Sequence, residues 1–247
     1  MKNQLRIALV ILALALASRA IGRAGDIPSS ESRFDVNGEI KLFLAGSHKT
    51  VKDGSSVVLW LDAIDPIQRG ESPTPQNFRM LQHNKMFEPS LLVVPVGSLV
   101  DFPNLDPWFH NVFSLYQGKR FDLGLYEAGA HKEIRFDRQG ASYIFCNIHP
   151  EMAAVIMTVD SDFYGVSDSA GRVSIPKVPR GSYTLHVWYD NATAEALRGL
   201  ERAVKIEDDS HTLPTISLPV TYHATEKHKN KYGLDYDPKA GVSDYEN

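Results

Sequence analysis

The sequence predicts an all-β protein. Beyond the N-terminal segment, no stretch sustains the three-to-four-residue apolar repeat of a long amphipathic helix; short apolar or alternating runs take its place. Gly, Pro, Asn and Asp, the residues that make turns, stand between those runs.

The chain opens with Met1-Lys2-Asn3-Gln4-Leu5-Arg6, an apolar run from Ile7 to Ala17, and small residues at Ser18, Ala20, Gly22 and Ala24. That order is the order of a secretory signal peptide, so residues 1–24 are expected to direct export to the periplasm or the medium. The unbroken apolar run is about half of the roughly 20 residues a bilayer span needs. This favours cleavage near Ala20 or Ala24 over an uncleaved anchor, with no integral membrane span left afterwards.

Strands are then predicted over Glu39 to Leu44, Ser56 to Leu61, Ser90 to Pro95, Ser98 to Phe102, Asn111 to Leu115, His131 to Phe136, Ala141 to Phe145 and Ala153 to Val159. Turns fall at Asp53-Gly54, Gly97, Gln117-Gly118, Ala128-Gly129 and Gln139-Gly140, and Gly70 to Pro75 is too proline-rich for a central strand. A second unit begins near Ser161 with strand, Asp/Gly turn and strand from Phe163 to Ile175. It continues through the alternating Ser182 to Trp188, a short helix over Thr193 to Leu200, and strands at Arg202 to Ile206 and Leu213 to Leu218. From about Tyr222 the chain is polar and reads as a loosely held tail. The boundaries so drawn are 25–160, 161–221 and 222–247.

Loss of residues 1–24 removes four positive side chains (Lys2, Arg6, Arg19, Arg23) and no negative ones, taking the formal charge from −4 to about −8. That balance argues against nucleic acid as a partner. Exported proteins usually pair their cysteines, yet Cys146 is the single cysteine, so no internal disulfide can form. The thiol is then an intermolecular bridge, an inert buried side chain or a metal thiolate.

The segment Cys146-Asn147-Ile148-His149-Pro150-Glu151-Met152 carries a thiolate, an imidazole and a thioether between two apolar strands, and His110 at the start of an upstream strand adds a second imidazole. Singly, a Cys or Met is more often core filling and a His an ordinary hydrogen-bonded side chain. Jointly, a His2Cys set with a weak axial Met is the signature of a blue-copper electron-transfer site. Zinc gains little from a thioether, and covalent haem needs a second Cys in Cys-x-x-Cys-His. The other histidines (His48, His83, His131, His186, His211, His223, His228) are scattered and read as surface or structural.

The Cys-x2-His-x2-Met loop with His110-Asn111 upstream resembles the plastocyanin/azurin cupredoxins, and its spacing is most similar to amicyanin. Phe87-Glu88-Pro89, Val96-Gly97, Phe102-Pro103-Asn104, His110 to Ser114 and Phe121 to Gly124 resemble exported bacterial cupredoxin-domain proteins labelled methylamine-utilisation proteins. The likeness spans roughly residues 34–160. It implies a cupredoxin Greek-key β-sandwich, one type 1 copper held by His110, Cys146, His149 and Met152, and a role for Asn111 in steadying the two ligand loops.

Residues 161–220 resemble a transthyretin-like module through Val166-x-Asp168-x-x-Gly171-x-Val173 and Val178-Pro179-x-Gly181-x-Tyr183-x-Leu185, which implies a smaller Ig-like β-sandwich without chemistry of its own. The expected function is electron carriage to or from a redox partner protein rather than enzymatic turnover. The alternative is an envelope copper-binding or structural protein without an electron-transfer role. Trp108, Phe109 and Pro150 are candidates for an apolar docking patch around His149, and Trp108 serves equally well as core packing.

Overall fold

The computed structural model describes residues 32–47, 49–65, 73–115, 118–208, 211–221 and 228–236; the expected signal peptide lies outside them. The regular secondary structure of the described residues is nearly all strand, as expected. In chain order these are β1 (Arg33–Leu44), β2 (Val58–Ala63), β3 (Asn77–Arg79), β4 (Leu81–His83), β5 (Met86–Glu88), β6 (Leu91–Pro95), β7 (Ser98–Asp101) and β8 (His110–Ser114). There follow β9 (Phe121–Tyr126), β10 (Glu133–Phe136), β11 (Gly140–Phe145), β12 (Ala153–Val159), β13 (Tyr164–Val166), β14 (Arg172–Pro179), β15 (Gly181–Trp188), the short helix α1 (Ala194–Arg198), β16 (Arg202–Ile206) and β17 (Ile216–Val220).

Strand pairing departs from the linear boundary expected at residue 160. β1 lies between β14 and β17, antiparallel to one and parallel to the other, while β2 lies between β13 and β15. These two sheets enclose one core, to which Val36, Ile40, Leu42, Leu59, Leu61, Ile175, Tyr183, Leu185 and Leu218 belong. The sandwich expected after residue 160 therefore takes its first two strands from residues 33–63, and the unit carrying His110, Cys146 and His149 is inserted between β2 and β13. Thr74 ties the two ends of the insert together, donating its N–H and hydroxyl to the Asp162 carboxylate at 2.9 and 3.3 Å.

The insert has its own core. Sheet β6-β12-β11-β8-β9 and sheet β10-β7-β3 enclose Met80, Val100, Phe102, Val112, Phe136, Ile144, Cys146, Met152 and Ile156. The apolar run Val57 to Leu61 shows no strict alternation because β2 is covered on both faces. Leu59 and Leu61 enter the host core, while Val58 and Trp60 pack against Val93, Met157 and Val159 of the insert. β12 is divided in the same way, with Ala154 and Ile156 on the inner face.

In the host turn between β13 and β14, Asp168 Oδ1 accepts N–H groups from Ala170 and Arg172, and Gly171 takes φ +76°. A Cβ at Gly171 would meet the Ile40 carbonyl oxygen at 2.3 Å, so only glycine fits against β1 there.

His186, on the outer face of β15, stacks on Trp60 and lies between Asp62 (3.1 Å) and Glu201 (3.3 Å). The hydrogen bond to Asp62 raises its pKa above the ordinary 6.5, against a smaller opposing effect of burial. A raised folded-state pKa adds stability that is complete below the unfolded value and disappears as pH rises through the folded one. Chemical unfolding of the native chain should show a loss of stability across that window above about pH 6.5. His186→Gln should flatten it; an unaltered slope in the variant would assign the effect elsewhere.

Candidate metal centre

His110 opens β8, and Cys146 follows the last residue of β11. These strands are neighbours with Phe145 opposite Phe113, so the sheet register itself carries Cys146 to the beginning of β8. The loop 146–152 closes tightly: the Cys146 N–H donates to the Met152 carbonyl at 3.3 Å, and the Met152 N–H to the His149 carbonyl at 3.1 Å. Cys146, His110 and Met152 are fully buried and His149 half-buried.

Three donor atoms converge. His110 Nδ1 and His149 Nδ1 are 3.0 Å apart, and Cys146 Sγ lies 4.0 Å from the first and 3.6 Å from the second. Among the described residues, this is the one group of three or more His, Cys, Asp or Glu side chains gathered closely enough to hold a metal ion. A first-row ion bonded to nitrogen at ~2.0 Å and sulfur at ~2.3 Å needs donor pairs on the order of 3–4 Å apart. The triangle meets that requirement. Met152 belongs to the same buried cluster as Cys146.

The electrostatics suit neutral imidazoles and a thiol that must give up its proton. Burial depresses the pKa of His149 to about 4, reinforced by His110, and burial also lowers that of His110 against the pull of Asp106. Burial pushes the Cys146 thiol up, opposed by backbone hydrogen bonds from Asn111, Ile148 and His149. A bound cation supplies the charge that would reverse that preference.

Asp106 was not singled out from sequence. Its Oδ2 lies 2.8 Å from His110 Nε2, so a carboxylate there selects the tautomer with the proton on Nε2 and leaves the Nδ1 lone pair facing the site. Burial disfavours its ionised form, but N–H groups of Lys85 and Asn84 and the His110 ring outweigh burial and hold its pKa below the usual value. Asn104 fixes the approach to His110 by donating to the Trp108 carbonyl at 2.7 Å and accepting the Asp106 N–H at 3.0 Å. The spacing Asp106-x3-His110 was the available signal.

Among the described residues the Asn111 side chain does not bond to the 146–152 loop: its Nδ2 donates to Asp122 Oδ1 at 2.8 Å, and its buried Oδ1 has no hydrogen-bond partner. The tail also departs from expectation, because residues 228–236 lie against the ligand loop. His228 stacks on Phe145 with ring centroids 4.0 Å apart, and Tyr236 Oη donates to the Cys146 carbonyl at 2.7 Å. Phe109 is exposed, Trp108 and Pro150 half-buried, and Lys85 Nζ sits 4.6 Å from the Trp108 ring centroid.

No family model matches this chain, and no curated protein matches it. Solved structures that it resembles over about a third of its length include copper proteins, among them a purple cupredoxin and amicyanin. A Cu-containing nitrite reductase from Thermus scotoductus is 26% identical over 36% of this chain, with a TM-score of 0.33; the match spans only 23% of the reductase chain. A purple cupredoxin from Nitrosopumilus maritimus is 22% identical over 33% of this chain and 98% of its own, at TM-score 0.30. A reduced amicyanin carrying a single substitution is 19% identical over 33% of this chain and 80% of its own, at TM-score 0.31. No helix among the described residues is long and apolar enough to cross a membrane.

Proposed function

We propose that the chain holds one copper ion through His110, Cys146 and His149, with Met152 as a weak fourth donor, and works as an exported one-electron carrier. The convergence of two Nδ1 atoms and Sγ within 4.0 Å in a buried pocket carries this reading. Bound there, copper supplies a one-electron Cu(II)/Cu(I) couple. The protein supplies rigidity. His110 is held by Asp106, Cys146 by the β11 register, and the loop by its own two hydrogen bonds, so the donors stay in place whatever the charge between them.

Four protein donors leave no open position for a substrate, which supports a carrier over an enzyme. Half-buried His149, with exposed Phe109, gives the centre an edge toward a redox partner protein.

Titration of the purified protein with Cu(II) should produce a strong visible absorption from thiolate-to-copper charge transfer, and Cys146→Ser should abolish it. A native protein that takes up Cu(II) without such a band, or a Cys146→Ser variant that keeps it, would overturn the assignment.

A further inference from the structure

The hydrogen bonds of the C-terminal segment reach both elements that present the donors. The Lys231 N–H donates to Asn147 Oδ1 at 3.0 Å, inside the Cys146 loop. Lys231 Nζ meets Asp122 Oδ2 at 2.9 Å, and the other oxygen of Asp122 accepts from Asn111, the residue after His110. One residue thus bridges the loop carrying Cys146 and His149 to the strand carrying His110. Tyr236 adds its bond to the Cys146 carbonyl, and its hydroxyl also lies 3.2 Å from His228 Nδ1, whose ring covers Phe145. Apart from His228 on Phe145 the segment buries little, with Tyr232 and Leu234 exposed, so specific acceptors on the 146–152 loop do much of the ordering.

We propose that residues 228–236 are a clasp that preorganises the metal centre, with Lys231 and Tyr236 as positioning residues that act through the 146–152 loop. This rests on the copper reading for its purpose, but not for its physical content. The clasp restricts the loop before any metal arrives, so the donors lose less freedom on binding. Partners of this kind, one shell out from a ligand, typically change metal affinity by ten- to a hundredfold when lost.

The test uses the full chain and the variants Lys231→Met, Lys231→Arg and Tyr236→Phe. Amide hydrogen exchange of the metal-free proteins is followed at residues 146–152, with β14 and β15 in the host core as the internal reference. Expected is about tenfold faster exchange of the loop in Lys231→Met and Tyr236→Phe, with host strands unchanged and protection regained in Lys231→Arg. Loop exchange equal to that of the native chain in both variants would overturn the clasp; so would acceleration spread equally over the host strands, which marks general destabilisation. Copper release to a chelator is the second measurement, expected about tenfold faster in the same two variants. If the native chain takes up no copper, the copper reading falls while the exchange result still decides the clasp.

Discussion

A chain ending at Asp160 is expected to be unfolded in its first 33 described residues and to aggregate, although every proposed donor precedes the cut. The truncation removes β13 to β17 and leaves β1 and β2 with no pairing partner. Val36, Ile40, Leu42, Leu59 and Leu61, all buried in the whole protein, would return to water. At ~1.5–3 kcal/mol for each large apolar side chain, that exposure matches or exceeds the whole stability of a typical domain. A segment spanning residues 73–160 keeps β3 to β12 and should unfold cooperatively. It also bares Val93, Met157 and Val159, which Val58 and Trp60 normally cover, so self-association is expected. Circular dichroism and calorimetry on the two segments decide the matter. A well-folded 25–160 chain with a single cooperative transition would mean that β1 and β2 do not depend on the strands after residue 160.

Asp106→Ala should weaken metal binding by up to about a hundredfold, the upper end for a residue that orients a ligand. It removes the acceptor of the N–H groups of Asn84 and Lys85 and leaves the buried His110 Nε2 without its carboxylate. Asp106→Asn keeps the shape and one acceptor oxygen but loses the charge, so its loss should be nearer tenfold. Competition with a chelator of known affinity measures both, and thermal unfolding of the metal-free proteins separates weakened binding from weakened fold. Equal affinities in all three proteins would reduce Asp106 to a staple for the β4–β5 hairpin.

What could be read before the structure follows the range of the interactions. The gathering of His110, Cys146 and His149 was legible because Cys146 and His149 stand three residues apart, and because His110 begins a strand whose apolar character is plain. Asp106 was less so, since its acceptor role depends on the tip of a hairpin more than twenty residues earlier. The clasp was invisible because its bonds are polar and span 84 to 109 residues, and composition records no acceptor that far away.

The host boundary failed for a related reason. Alternation shows that a strand has a buried face but not which strand will cover it, and sequence neighbours pair often enough to be the natural assumption. The continuous apolar run of β2 was the overlooked sign, because a strand at a free edge of one sandwich would not need both faces apolar.

Interleaving the two sandwiches also sets a timetable for a chain that emerges N-terminus first. Ile40 pairs with Ile216 and Trp60 with His186, so the earliest strands wait for almost the last, whereas the insert can close on itself as soon as β12 has appeared. Contacts this far apart in sequence form slowly, and unpaired apolar strands are vulnerable to aggregation until they do. The insert can therefore close its own core while its host is still half made, and the clasp from residues 228–236 reaches the 146–152 loop last.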